Sequence, residues 1–252
     1  MTWDRLQSCS NFSAAGGGAG PLTVQYTASL SSGTKLIAVT TSYAPANGQC
    51  TAVSDGNGNG FTMVGDSGNP GAGYGGIRVW ALDTPAGDVG AKPAVTASYD
   101  STGIFAVLAQ EAGGLYPGTT ASLDGAPGIL AGSTSSGSAS SGTPSYASTA
   151  AGEYLASFFG LNTNGDSDPV LAGPSGYATD PSTLSGALHY SEVGVAYKSS
   201  TGGTEADGWG ISGADGSFLG WGVVLVAFKL AAVPLTSAGQ SCSPVPAIVT
   251  TF

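Results

Sequence analysis

Short runs of apolar and β-branched residues, separated by clusters of glycine, proline and serine, make up most of this chain. Breaks at intervals of about eight to twelve residues, with no helical period between them, are typical of strands joined by turns. We therefore predict an all-β fold, an antiparallel β-sandwich. The predicted strands are residues 22–28, 35–43, 50–54, 60–64, 76–82, 93–99, 103–111, 153–161, 188–197 and 218–230.

Two of the predicted strands are apolar on both faces. In an extended chain successive side chains point to opposite faces, so the adjacent pairs Ile104/Phe105 and Val107/Leu108 cannot all face one side. The same holds for residues 223–230. Because a strand of an ordinary sandwich has one face in water, these strands need a second cover besides the opposing sheet. That cover is either the chain's own long loops or a neighbouring subunit.

The chain ends differ in composition from its middle. Residues 1–21 end in A-A-G-G-G-A-G-P and predict an extended N-terminal arm, and the proline-containing residues 232–252 predict a C-terminal arm. Residues 22–231 are predicted to form a single β-sandwich domain, with the Ser/Gly-rich residues 132–143 as a surface loop. No repeat of fixed period stands out, and the first half is expected to lack the strands for two sheets of its own.

The charge balance is acidic, with a formal net charge of −10 and only six lysines and arginines. Nucleic acids and anionic membranes are bound mainly through basic side chains, so we expect neither as a partner. The most apolar run, residues 223–228, is too short to span a bilayer. Residues 7–13 are polar where a signal peptide would be apolar, so we expect synthesis in a cytoplasm.

Residues 53–66, V-S-D-G-N-G-N-G-F-T-M-V-G-D, spell most of a calcium-binding loop. Asp55, Asn57, Asn59 and Asp66 would supply the side-chain oxygens. However, only two of these are carboxylates, and the flanking residues are typical of strands instead of the helices of an EF-hand. The preferred interpretation is a turn between strands, in which Asn and Gly supply the positive φ angles. Calcium is the alternative, and no other cofactor is predicted.

The same stretch, T-A-V-S-D-G-N-G-N-G-F-T-M-V, resembles a hairpin of a jelly-roll-like domain. That domain recurs in minor tail proteins of phages that infect actinobacteria and in some secreted bacterial proteins. K-L-I-A-V-T-T-S-Y (35–43), G-I-R-V-W-A-L-D-T-P-A-G (76–87) and W-G-V-V-L-V-A-F-K (221–229) resemble other strands of it, in the same order. The resemblance covers about residues 34–231, although Phe61 stands where tryptophan is usual. It implies a jelly-roll-like sandwich that acts in assembly or surface recognition, and it brings no catalytic motif.

These observations lead to the hypothesis of a non-enzymatic structural protein of a phage virion, made in the host cytoplasm. A minor tail protein is the leading form, and a capsid decoration protein is an alternative. Its expected partners are other virion proteins and copies of itself, as a trimer, with host cell-wall glycan as a further partner. A carbohydrate-binding module of a bacterial surface or secreted protein is the second alternative.

Aromatic residues outside the strand patterns are the candidate partner contacts, since aromatic anchors dominate interfaces. Trp209, in E-A-D-G-W-G-I-S-G, is predicted to lie in a loop, where it would contact sugar or a partner. Trp3 lies in the predicted N-terminal arm and Phe252 ends the C-terminal arm. Trp80 and Trp221 lie inside strand patterns and are predicted to be core residues.

Candidate catalytic residues are few. His189 is the one histidine, and no G-x-S-x-G motif accompanies it, so we expect a structural role. Asp166, Asp168 and Asp180 include the paired carboxylates that a glycosidase uses. Prolines follow in N-G-D-S-D-P and A-T-D-P, however, which favours turns.

The three cysteines have no metal-binding spacing. Q-S-C-S surrounds both Cys9 and Cys242, which would allow a disulfide bridge between the two ends of the chain. Free thiols at these positions and at Cys50 are the preferred interpretation for a protein made in a cytoplasm.

Overall fold

The computed structural model describes residues 2–13, 20–43, 48–69, 74–134, 139–140, 144–163, 169–183, 191–206, 208–212 and 219–231. These residues form antiparallel-paired strands and one short 3-10 helix, so the predicted all-β sandwich is confirmed. Among the residues described, no helix is long and apolar enough to cross a bilayer. The strands are β1 (Asp4–Phe12), β2 (Leu22–Gln25), β3 (Lys35–Tyr43), β4 (Cys50–Asp55), β5 (Thr62–Asp66), β6 (Tyr74–Asp83), β7 (Ala94–Tyr99), β8 (Ile104–Gly113), β9 (Gly128–Thr134), β10 (Ala139–Ser140), β11 (Ser145–Thr163), β12 (Val170–Ala172), β13 (Ala178–Thr179), β14 (Ser191–Ala206), β15 (Gly210–Ser212) and β16 (Leu219–Phe228).

The two halves of the chain repeat one strand order. In the first half, β1–β8, an inner sheet has the order β1-β8-β3-β6-β5 and an outer sheet the order β2-β7-β4. In the second half, β9–β16, the inner sheet is β9-β16-β11-β14-β13 and the outer sheet is β10-β15-β12. Counted from the start of each half, the inner sheets both have the order 1-8-3-6-5 and the outer sheets both have the order 2-7-4. This is a jelly-roll-like arrangement of eight antiparallel strands, with the fifth strand in the inner sheet. The expectation that the first half lacks the strands for two sheets is wrong.

The two inner sheets pack face to face and share one apolar core. Buried residues of the first half in this core include Ile37 and Leu108, and those of the second half include Phe158 and Val226. Each of these side chains is at most 1% exposed. Because the cluster is made of both halves together, separating them would expose the inner faces of both.

The outer sheets cover the other faces of the inner sheets. In β8, Leu108 faces the shared core, while the adjacent Val107 packs in a second cluster with Val95 of the outer sheet. In the second half, Phe159 packs with Ile211 of the other outer sheet. The chain's own small sheets therefore supply the second cover that the two-sided strands require, and neighbouring subunits are not needed for these faces.

The predicted N-terminal arm is wrong for residues 4–12. These residues form β1, which pairs with β8 from Asp4 opposite Gly113 to Phe12 opposite Ala106. β8 would otherwise lack a partner on that side, so the ladder fixes the segment in the sheet. The predicted loop at residues 132–143 is wrong in part, because β9 runs to Thr134 and β10 lies within it. The predicted C-terminal arm, residues 232–252, lies outside the described residues.

Candidate functional site

The connection from β4 to β5 is a turn built on the carboxylate of Asp55. Oδ1 of Asp55 accepts hydrogen bonds from the backbone N–H groups of Asn57 (2.9 Å) and Asn59 (2.8 Å), and Oδ2 accepts one from Nδ2 of Asn59 (2.7 Å). Gly58 takes a φ of +85°, which favours glycine. The D-G-N-G-N-G stretch therefore forms a turn, as the preferred interpretation predicted.

The structure does not bring Asp66 into this turn. Asp55 ends β4 in the outer sheet, whereas Asp66 ends β5 in the inner sheet. Asp66 instead pairs with Arg78, with Nε of Arg78 2.9 Å from Oδ2, and caps the backbone N–H of Gly68 at 2.8 Å. The predicted four-residue ligand set is thus divided between two sheets.

A residue that the sequence pattern did not single out takes the place of Asp66. Asp88, in the 3-10 helix Ala86–Asp88 between β6 and β7, is 0% exposed, and its Oδ1 accepts a hydrogen bond from Nδ2 of Asn57. Its carboxyl group also interacts with that of Asp55, because each group shifts the pKa of the other. No signal in the sequence marks this pairing, because Asp88 belongs to a later connection.

The two carboxyl groups shift each other's pKa in opposite directions. Burial and the hydrogen bond to Asp55 raise the pKa of Asp88 above its ordinary value, because both disfavour a second negative charge. Burial acts in the same direction on Asp55, but hydrogen bonds from Asn59, Asp88 and Asn57 outweigh it and lower the pKa of Asp55. Oδ2 of Asp88 is buried and has no hydrogen-bond donor among the described residues.

Of the predicted partner contacts, Trp209 is buried in its own chain. Trp209 lies outside the strands, as predicted, but its predicted role as a sugar or partner contact is wrong: its side chain is 0% exposed, it stacks on Phe159, and its Nε1–H donates to Oγ of Ser157 at 2.8 Å. It lies directly before β15 and fills the space between the second half's two sheets. Phe252 lies outside the described residues.

Trp3 also contacts its own chain. Its ring meets those of Tyr154 and Tyr197 edge to face, with centroids 4.7 Å and 5.8 Å away. Both tyrosines belong to the second half of the chain, so Trp3 anchors the start of the first half on the shared core. Trp80 and Trp221 are buried, as predicted.

Asp180 is a structural acid. It is 1% exposed, and its carboxylate accepts hydrogen bonds of 2.6 Å from both Oγ of Ser8 and Nε2 of Gln110. These partners come from the first half and Asp180 from the second. The other candidate catalytic residues, His189, Asp166 and Asp168, lie outside the described residues.

The described cysteines are free thiols. Cys9 and Cys50 are both buried, so Cys9 is not bridged here, and Cys242 lies outside the described residues. Burial and the nearby charge of Asp180 raise the pKa of Cys9 to about 12. Burial raises the pKa of Cys50 to about 11 although hydrogen bonds and Arg78 oppose it, so both groups stay protonated at neutral pH.

A cavity of about 440 Å³ lies where the first half ends. Lys35, Asp83 and Tyr116 are among its lining residues. Lys35 and Asp83 form an ion pair, and Asp83 also accepts a hydrogen bond from the backbone N–H of Gly118. These charged groups therefore serve to fix the connection between the two halves.

Within the described residues, no group of three or more His, Cys, Asp or Glu side chains converges as metal ligands would. Comparison of the chain with protein-family models, curated proteins and solved structures gave no match.

Proposed function

We propose that this chain is a non-enzymatic structural protein of a bacteriophage virion, with a minor tail protein as its leading form. The observation that carries the proposal is the duplicated jelly-roll order, with both halves joined through one core. Jelly rolls recur among viral capsid proteins and lectins. Since one fold serves many functions, the proposal also draws on the sequence and on individual residues.

The choice of a tail protein as the leading form rests on the family resemblance of the sequence. Strand segments within residues 34–231 resemble, in the same order, those of a domain that recurs in actinobacteriophage minor tail proteins. Residues 53–61 of that resemblance form the Asp55 turn, in which the backbone N–H of Phe61 donates to the carbonyl of Val53 at 2.8 Å. Residues 53–61 thus have the backbone pairing of a short hairpin, but β4 and β5 belong to different sheets and do not pair with each other.

The environment of Asp180 supports a role other than hydrolysis. A glycosidase needs two carboxyl groups that face a substrate across a cleft. The carboxylate of Asp180 is buried and holds Ser8 and Gln110 of the other half, which is a structural use of the charge. Trp209 gives the carbohydrate-binding alternative no support, because its ring has no exposed surface for a sugar to stack on.

We place the contacts with virion neighbours at the edges of the inner sheets, because both faces of these sheets are covered. β1 and β9 are edge strands and occupy the same place in the two halves. Leu6 and Phe12 on β1 are 42% and 36% exposed, and Ile129 on β9 is 46% exposed. Exposed edge strands accept further strands or side chains from a partner, and a trimer remains the proposed assembly.

Localisation in intact particles tests the proposal. Density-gradient-purified particles of the phage that encodes the chain would be examined by mass spectrometry and by immunogold electron microscopy. We expect several copies per particle, with gold at the tail. Gold on the head would favour the capsid decoration alternative over the tail. Recovery of the chain only in the soluble lysate, with none in particles, would contradict the proposal.

The truncation that tests for an arm is removal of residues 232–252. Removal of residues 1–21 is unsuitable, because it would delete β1 from the inner sheet. If the C-terminal segment contacts neighbours, the truncated chain should fold as the full chain does and fail to enter particles. Unchanged incorporation would contradict a role for that segment.

A further inference from the structure

The turn around Asp55 and the 3-10 helix that holds Asp88 bring together two acids and two amides. Asp55 and Asp88 are 3% and 0% exposed, and Asn57 contacts both: its backbone N–H donates to Oδ1 of Asp55 at 2.9 Å and its Nδ2 donates to Oδ1 of Asp88. The ion pairs of the described residues involve other carboxylates: those of Asp180, Asp83, Asp66 and Glu205. Two neighbouring buried acids without a cationic side chain are costly, because like charges repel strongly away from water.

The side-chain amides in the turn are directed at these acids. Nδ2 of Asn57 donates to Oδ1 of Asp88, and Nδ2 of Asn59 donates to Oδ2 of Asp55 at 2.7 Å. Rotation of either amide by 180° would exchange its NH₂ group for its carbonyl oxygen at the same place. With both amides rotated, the four side chains would offer carboxylate and amide oxygens at this turn, and Oδ2 of Asp88, which has no donor among the described residues, adds one more.

We propose that Asp55, Asn57, Asn59 and Asp88 form a Ca²⁺ site. Calcium prefers carboxylate and amide oxygens and tolerates an irregular ligand arrangement completed by water. Asn57 is exposed and Asn59 partly so, which leaves the site open to solvent on one side. Magnesium fits less well, because it demands a near-octahedral set and releases its water reluctantly.

The ion would join two connections of the first half. Asp55 ends β4, and Asp88 precedes β7, the strand that pairs with β4 in the outer sheet. A cation between them would neutralise the two acids and hold the outer sheet over the cluster that contains Val53 and Val95. Its effect would therefore be greater stability of the first half's outer sheet.

Thermal unfolding of the full chain with and without CaCl₂, after removal of bound metal with EDTA, tests the site. With two carboxylates we expect a Kd on the order of 10⁻⁴ M. Since a ligand that binds only the folded state stabilises it, about 5 mM CaCl₂ should raise Tm by about 5 °C. Isothermal titration with CaCl₂ should give one site per chain.

Two matched variants locate the site. Asp88→Asn keeps the shape of the side chain and should abolish both the Tm shift and the titration heat, with an unchanged circular dichroism spectrum. Asp66→Asn should retain both, because Asp66 pairs with Arg78 in the inner sheet. No binding by the parent chain, an equal shift in Asp88→Asn, or loss of the shift in Asp66→Asn would overturn the proposal. If the parent binds no calcium and Asp88→Asn has a higher Tm than the parent in calcium-free buffer, the proposal is overturned as well. The two carboxyl groups would then share a proton in place of a calcium ion.

Discussion

The hydroxyl group of Ser8 in β1 donates a 2.6 Å hydrogen bond to Oδ1 of Asp180, which lies just after β13 in the other half of the chain. Oδ2 of the same carboxylate accepts from Gln110 of β8 at 2.6 Å and lies 3.6 Å from Nε of Arg5. One buried acid thus holds two strands of the first half against the second half.

Replacement of Asp180 should weaken the contact of β1 and β8 with the second half of the chain and so lower the free energy of unfolding. Asp180→Ala leaves the buried amide of Gln110 without its acceptor and removes one of the two acceptors of the Ser8 hydroxyl, so we expect a loss of about 2 to 3 kcal/mol in unfolding free energy. Urea unfolding measures the loss, and hydrogen exchange should rise in β1. Asp4→Ala, at an exposed position of the same strand, is the control and should change stability by under about 0.5 kcal/mol. Equal effects of the two variants would contradict this role.

Gly222 in β16 allows the inner sheets to approach each other. A Cβ atom there would fall 2.3 Å from Oγ of Ser67 and 2.7 Å from Cγ2 of Ile77, both in the first half. The Ser67 hydroxyl is held in place, because it accepts a hydrogen bond from the backbone N–H of Ile77 at 3.0 Å. Gly222→Ala should therefore destabilise the chain by about 1 to 3 kcal/mol in urea unfolding.

The control for that variant is Gly60→Ala, where a Cβ would meet nothing within 4 Å. It should show no loss of stability. If Gly222→Ala is as stable as this control, the inner sheets are not packed as closely as described.

Trp209 should behave as a core residue. Trp209→Ala removes a fully buried ring and its hydrogen bond to Ser157, so we expect a loss of about 3 to 5 kcal/mol. Trp209→Phe should lose less, because it keeps the stacking on Phe159. Urea unfolding followed by circular dichroism measures both. A Trp209→Ala chain that is as stable as the parent but loses binding to cell-wall glycans would restore the carbohydrate-binding alternative.

Glu205 links stability to pH. Burial by itself would raise its pKa, but hydrogen bonds from Lys198 and Thr201 outweigh burial and lower the pKa below the ordinary value. The Lys198 Nζ to Glu205 Oε2 distance is 2.8 Å. Because folding lowers this pKa, the ionised group stabilises the folded state above the ordinary value of about 4.3, and that stability is lost as pH falls through the lower folded value.

Glu205→Gln should accordingly cost about 1 to 2 kcal/mol at pH 7. The difference from the parent should shrink at about pH 3, where the parent carboxylate is becoming protonated. Urea unfolding at both pH values measures this. If the stability difference between Glu205→Gln and the parent is the same at both pH values, or larger at about pH 3, the lowered pKa of Glu205 is contradicted.

The sequence indicated the strands that form the centre of the fold. β3 has the predicted bounds, 35–43, and Trp80 and Trp221 are buried as predicted, because apolar runs between glycine and proline breaks are a local signal. β1 was missed because D-R-L-Q-S-C-S-N-F is polar and borders a glycine-rich segment. Its strand character comes from the β8 edge that it pairs with, which is distant in sequence.

Three other features could not be predicted for the same physical reason. Trp209 lies between glycines, so its surroundings resembled a loop, whereas its burial depends on Phe159 and the outer sheet. Asp88 meets Asp55 through the packing of two separate connections. The repeated strand order is not visible as a sequence repeat, because the two halves need only apolar residues at their buried positions and these need not be identical.

Native-state hydrogen exchange across a urea series tests most directly the claim that the two halves are one unit with one core. As urea rises, global unfolding becomes the route by which core amides exchange. The opening free energies of amides in the first half (β3 and β8) and in the second half (β11 and β16) should then agree to within about 0.5 kcal/mol. Full exchange of one half at urea concentrations where the other half stays protected would contradict the shared core.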